Sequence, residues 1–381
     1  MKEEVKKPIY VVKPSLPPLQ EYVDEIKDIW ETGIMTHTGP KHVRLQAELE
    51  KFMEVDHVSL FANGHLALEL GLEALELSGE VITTPFTFAS TVQAILRNGL
   101  TPVFCDINDQ DYTMDCAKIE ELITERTSAI LPVHVYGHFC DVDKIQKIAD
   151  RYHLRVIYDA AHAFGERYQG KNAAVFGDMS MFSFHATKVF QTVEGGCLSF
   201  SSKYADKIQL LNGLKQFGQI LHTEETPYTG TNAKMTEMHA AMGLCNLVHI
   251  KEYIQKRKQV IERYRQRLKG IAGIRLCPQQ EGVESNYAYF PVVFEQEKTG
   301  VSRDQMQEWL AKDHIFARKY FYPLCSDFSC CVNRGLQARV PVAAYISERV
   351  LTLPCYSDLG LEDVNRICER ICEGLRQGGS L

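Results

Sequence analysis

The stretch Arg155-Val-Ile-Tyr-Asp-Ala-Ala-His162 opens with a short apolar run that ends on an acid, Asp159. Its length and its β-branched and aromatic residues predict a strand buried on both faces, with Asp159 at the carboxyl end. One supersecondary unit later comes Ser183-Phe-His-Ala-Thr-Lys-Val-Phe190, where Lys188 follows a second strand-like run at 179–184. Outward from this pair the same kind of run recurs at His57–Phe61, 80–84, 102–106, 129–134 and Gly196–Phe200. Segments of helical periodicity separate most of them, at 66–77, Ala89–Arg97 and 142–151. Short apolar strands alternating with helices predict an α/β fold whose mostly parallel sheet is covered on both faces.

A charged helical stretch at about 240–268 leads away from this unit. It is followed by strand-like runs at 287–294 and 315–321. The expected division is a large α/β domain over 1–250 and a smaller α+β domain over 251–381. The Gly/Ser-rich end after Arg376 is expected to fray.

At 381 residues the chain can bury a large core, and its 45% hydrophobic and 24% charged residues are ordinary for a globular protein. The net charge of −7, with no long block of Lys and Arg, argues against a nucleic-acid partner. No apolar run approaches the roughly 18 residues that span a bilayer, and the charged Met1–Lys7 region leads to no apolar signal segment. Twelve scattered cysteines without a CxxC motif read as reduced thiols, hence a cytoplasmic protein. His134, His138 and Cys140 could be drawn as a metal cluster, but their setting reads as a buried strand entering a turn, so no metal is expected.

In open α/β sheets ligands gather at the carboxyl ends of the strands. Asn63-Gly64-His65 follows one such end and opens a helix, which makes it either a capped turn or a phosphate site built from backbone N–H groups. Neither GxGxxG nor a Walker loop occurs, so a dinucleotide or P-loop enzyme is disfavoured. A carboxylate buried at Asp159 requires a partner. A hydroxyl or helix end would serve, and so would a protonated pyridine nitrogen. Lys188, in an apolar setting, either reaches for the surface or is held as a reactive amine whose pKa is lowered from about 10.4. Such an acid and amine are what pyridoxal phosphate requires, since the amine condenses with its aldehyde and the acid keeps its ring an electron sink.

Three blocks make the pattern specific: FANGHLALELGLEAL with GEVITTPFTFAST, PVHVYGHFCDVDKIQKIA with VIYDAAHAFG, and GDMSMFSFHATKVFQTVEGG. A fourth is GTNAKMTEMHAAMGL. In this order they resemble the DegT/StrS-type nucleotide-sugar aminotransferases of the aspartate-aminotransferase fold (fold type I). The resemblance runs from about Trp30 to Ala241 and resumes in RKYFYPL. It implies Lys188 as the lysine that holds pyridoxal phosphate, and Asp159 as the partner of the pyridine nitrogen. It places His162 and Phe88 against the ring, and Gly64, His65 and Ser183 around the phosphate. It also implies that Asn232 reaches the phosphate of a neighbouring subunit, hence a homodimer with shared active sites. The family usually has Ser or Thr where this chain has His65, so the hydroxyl contact is lost or replaced by imidazole.

Thr38, His185, Arg318 and Tyr320 are the candidates for sugar or nucleotide contacts. The reaction implied moves an amino group from glutamate to a keto-deoxy sugar nucleotide, with dTDP-4-keto-6-deoxy-D-glucose the expected acceptor, for surface glycan synthesis. A 3-keto or UDP-linked acceptor stays open, as does a dehydratase or isomerase on the same fold. Relatives with histidine at the lysine position are dehydratases, so Lys188 favours transamination. A third alternative is a binding protein that keeps the fold without catalysis.

Overall fold

The computed structural model describes residues 7–220 and 223–377. Most of the charged amino-terminal stretch and the Gly/Ser-rich tail expected to fray, from 378 on, lie outside the described residues. Seven strands make the central sheet: β1 (His57–Phe61), β2 (Glu80–Thr83), β3 (Thr101–Phe104), β4 (Thr127–Leu131), β5 (Arg155–Asp159), β6 (Met179–Ser183) and β7 (Gly196–Phe200). Their order is β1-β7-β6-β5-β4-β2-β3. Every pairing is parallel except those of β7, which runs antiparallel to both β1 and β6. The reason is the link between β6 and β7. It holds Lys188 in an irregular loop with no crossover helix, and a parallel return needs such a crossover.

Side chains alternate between the two faces of the sheet with the strand period of two. Val58, Leu60, Ile82, Ile130, Val156, Tyr158 and Phe182 are buried on one face, and Phe61, Val81, Ala129, Leu131, Ile157, Met181 and Leu198 on the other. Both faces are apolar, which is why the strands read as continuous apolar runs rather than as alternating ones. Helices that bear on the site are α1 (Leu19–Thr32), α2 (Pro40–Met53), α3 (Gly64–Ala74), α4 (Ala89–Arg97) and α5 (Val142–Tyr152).

A second core lies beyond the sheet. It surrounds an antiparallel three-stranded sheet of Ile274–Leu276, Phe290–Phe294 and Val350–Leu353. The long helix Glu237–Leu268 joins the two cores: Ala240, Leu244 and Ile250 sit in the first, Val260, Ile261, Tyr264 and Leu268 in the second. Ile9, near the start of the chain, also packs into the second core.

Two expected strands are shorter than their apolar patterns. Of 287–294 only Phe290–Phe294 joins the ladder. Ser285 Oγ accepts from the Tyr287 N–H at 3.0 Å and Asn286 Oδ1 from the Ala288 N–H at 2.9 Å, so local turns take those donors first. Of 315–321 only Ile315–Phe316 is strand, paired in parallel with Ile9–Tyr10. Beyond it Arg318 makes only an isolated bridge to Thr352, and Phe321 is buried because it packs on Phe86, Tyr136 and His162, not because it sits in a sheet.

Candidate active site

Asp159 closes β5, buried beneath the carboxyl edge of the sheet. Its Oδ2 accepts from the Thr91 hydroxyl at 2.7 Å and its Oδ1 from the Ala161 N–H at 3.1 Å. Burial raises its pKa, and the two hydrogen bonds and the Lys188 charge pull against that rise. A buried carboxylate so held is poised to face a cation.

Lys188 supplies one cation. It is half-buried in the β6–β7 loop, with its Nζ 5.8 Å from the centre of the Tyr289 ring. Desolvation lowers its pKa to about 8, opposed by the charges of Asp159 and Tyr320. An amine brought this close to neutrality is a nucleophile at ordinary pH. His162 lies beside it, with its ring 4.6 Å from that of Tyr289 and 6.1 Å from that of Phe321. His162 Nδ1 accepts from the Tyr136 N–H at 3.0 Å. Burial, then the Lys188 charge, push its pKa well down, so the imidazole is a neutral plate.

Gly64 and Ser183 meet at the end of the sheet. A Cβ on Gly64 would lie 2.9 Å from Ser183 Cβ and 3.1 Å from Ser183 Cα, so only glycine fits. Gly64 opens α3, and the Asn63 side chain caps the Leu66 N–H at 2.9 Å. The first N–H groups of the helix, those of Gly64 and His65, have no acceptor within it and form an anion site. The His65 imidazole is engaged elsewhere: Nδ1 lies 2.9 Å from Ser90 Oγ and Nε2 3.4 Å from the Glu69 carboxylate.

Phe88 immediately precedes α4 and is 62% exposed. With Thr87, Arg318, Tyr320 and Phe321 it lines a cleft of 340 Å³. The Tyr320 carbonyl accepts from the buried Tyr136 hydroxyl. The remaining candidates do not line this cleft. His185 is exposed, 2.8 Å from Thr187 Oγ1 and 3.7 Å from the Glu194 carboxylate. Asn232 is also exposed and accepts from Lys234 Nζ at 2.7 Å. Thr38 adopts φ 59° in the loop before α2.

Sequence reasoning missed Thr91, Tyr136 and Tyr289. Thr91 lies in the quoted block TPFTFAST, four residues past Thr87, and helical spacing alone marks the two as one face. Nothing local marks Tyr136 or Tyr289. Among the described residues no group of three His, Cys, Asp or Glu could hold a metal ion. His134, considered with His138 and Cys140, stacks on Tyr158 at 4.7 Å and accepts from the Cys140 N–H.

The model of the DegT/DnrJ/EryC1/StrS aminotransferase family matches residues 19–372. The chain belongs to that family. It is 42% identical to a dTDP-4-amino-4,6-dideoxy-D-glucose transaminase of Shigella dysenteriae, over 97% of this chain and all of that one. Among solved structures it is similar to DesI determined with its TDP-sugar product, at a TM-score of 0.92 and 32% identity, covering 98% of this chain and 94% of that one. It is also similar to Spr1654 from Streptococcus pneumoniae in its PLP form, at a TM-score of 0.91 and 26% identity, covering 98% and 100%. The aminotransferase fold expected for the sheet is therefore shown, and the enzyme uses pyridoxal phosphate.

The residues present fit that cofactor. The N–H groups of Gly64 and His65 at the helix start suit a phosphate, Asp159 offers a held carboxylate, and Lys188 offers an amine. No helix among the described residues is long and apolar enough to cross a membrane.

Proposed function

We propose that the enzyme transfers an amino group from glutamate to dTDP-4-keto-6-deoxy-D-glucose, forming an amino-dideoxy sugar for surface glycan synthesis in the cytoplasm. The observation that carries this reading is the Lys188 amine over the Tyr289 ring, its pKa lowered to about 8 by desolvation, within the field of the Asp159 carboxylate that Thr91 and Ala161 hold. The full-length likeness to the Shigella transaminase supports the acceptor. Pyridoxal phosphate supplies an aldehyde for amines to condense with and a ring that stores the electron pair left when a proton departs from carbon.

In this reading the chain's own groups do the rest. Lys188 would hold the cofactor through its amine and, when that amine is free, would take the proton from the donor's α-carbon. Asp159 keeps the ring nitrogen protonated. The N–H groups of Gly64 and His65, with Ser183, hold the phosphate, and His162 and Phe88 flank the ring. Thr38, His185, Arg318 and Tyr320 contact the sugar nucleotide. Asn232 reaches the phosphate of a partner protomer. The exposure of Asn232, Phe88, Val193 and Phe217 supports a dimer that covers them. We assign the cofactor-bearing unit to the 1–250 part of the chain and the smaller one to 251–381, except that Ile9–Tyr10 belongs with the smaller unit, and the helix Glu237–Leu268 runs through both.

The test is incubation of the enzyme with glutamate and a panel of 3-keto and 4-keto dTDP and UDP sugars. The proposal expects 2-oxoglutarate in step with amination of the dTDP-4-keto sugar. Amination of no keto sugar in the panel would refute the substrate class. Loss of water from the sugar without 2-oxoglutarate would indicate a dehydratase.

A further inference from the structure

Asp159 is held by a line of two buried hydroxyls. Thr91 Oγ1 lies 2.7 Å from Asp159 Oδ2 and 2.8 Å from Thr87 Oγ1, and all three residues are buried. The direction of the protons along this line follows from valence. An ionised carboxylate only accepts, so Thr91 gives its single proton to Asp159. The same oxygen can then only accept from Thr87, whose hydroxyl is the donor. The other carboxylate oxygen is fixed from a different element, by the Ala161 N–H at 3.1 Å. Lys188 is the charged group that acts on this carboxylate.

The placement ties several parts of the site together. Thr87 and Thr91 are one helical turn apart at the start of α4, with Phe88 between them at the cap position. Thr87 also lines the cleft that holds Phe88, Arg318 and Tyr320. A helix that carries a wall of the cleft therefore also carries the donor that sets the plane of the carboxylate. We propose that Thr91, backed by Thr87, is a positioning residue that aims the Asp159 carboxylate at the ring nitrogen of the cofactor and keeps it a pure acceptor. This rests on the assignment of Asp159 to that nitrogen.

The experiment compares Thr91→Val, Thr91→Ser, Thr87→Val and Asp159→Asn with the unaltered enzyme. Five quantities are read: the dissociation constant of pyridoxal phosphate from titration of cofactor-free protein, the pH midpoint of the bound cofactor's visible band, kcat and KM of the half-reaction with glutamate, and the melting temperature. Valine matches threonine in shape but offers no proton, so packing is kept and the charge-assisted hydrogen bond is lost. The expected result for Thr91→Val is a loss of about ten- to a hundredfold in cofactor affinity and in kcat, with KM for glutamate little changed and the midpoint displaced by about one pH unit. Thr91→Ser restores most of the loss, and Thr87→Val gives a smaller change of the same kind.

A lowered melting temperature in Thr91→Val with affinity, midpoint and kcat preserved would overturn the proposal, as would failure of Thr91→Ser to rescue. Asp159→Asn separates the two layers of the argument. If it leaves spectrum and turnover intact, the assignment of Asp159 itself fails. If it impairs both while Thr91→Val impairs neither, only the role of Thr91 fails.

Discussion

The Lys188 amine titrates at about 8 rather than 10.5 because burial removes water from its charged form. Only the neutral amine can attack an aldehyde. At pH 7 about one amine in ten is then neutral, against about three in ten thousand for an unperturbed lysine, a ratio of roughly 300. The assay follows the growth of the visible band when cofactor-free enzyme is mixed with pyridoxal phosphate, at pH values on both sides of 8. Capture should quicken about tenfold per pH unit and level off near 8. The Asp159 charge raises the amine's pKa. Replacing Asp159 with Asn should therefore move the break to lower pH, even though the cofactor is then held less firmly. A break near 10.5, or a move to higher pH in the Asn variant, would refute the reasoning.

Three further outcomes are expected from particular contacts. Gly64→Ala places a methyl group 2.9 Å from Ser183 Cβ on strand β6; the strand cannot retreat, so urea denaturation should show a loss of about 1–3 kcal/mol together with weaker cofactor binding. Glu237 caps α2 from another helix, accepting from the N–H groups of Lys41 at 2.7 Å and His42 at 2.9 Å. Glu237→Ala should thus cost about 1–3 kcal/mol in the same measurement, with a neutral result counting against the cap. Glu166 is fully buried, accepts from the Asn286 N–H at 3.0 Å, and has its pKa raised well above 4.5 by burial. A carboxyl whose folded pKa is raised stabilises most below its unfolded pKa and loses that contribution as pH rises. The stability of Glu166→Gln relative to the unaltered protein should therefore improve as pH rises from about 4.5, and a pH-independent difference in melting temperature would contradict this.

The parts of the fold that were legible in the sequence are those dictated by local period and composition. The run Arg155–Asp159 is strand throughout because every position but its first is buried, and Gly196–Phe200 likewise. The runs at 287–294 and 315–321 misled for a physical reason. An apolar residue reports burial, not hydrogen bonding: Phe321 is buried against aromatic rings with no ladder beside it. The site was legible where a residue's chemistry is costly to bury, as at Asp159 and Lys188, or where backbone approach excludes a side chain, as at Gly64. It was not legible at Tyr289, an ordinary aromatic in an apolar run that tertiary packing brings to Lys188 across about a hundred residues of chain. His65 shows the opposite case. Its unusual presence at the helix start is plain in the sequence, but only packing reveals that Ser90 and Glu69 engage the ring.

In the proposed function the Lys188 amine is the group that joins the chain to pyridoxal phosphate. The direct measurement is reduction of the cofactor-bound enzyme with borohydride, followed by peptide mapping by mass spectrometry. A single reduced pyridoxyl group is expected on the peptide that contains Ser183-Phe-His-Ala-Thr-Lys188, and none on that peptide when Lys188 is replaced by Ala. Stoichiometric label on another lysine, or a visible cofactor band that survives in Lys188→Ala, would contradict it.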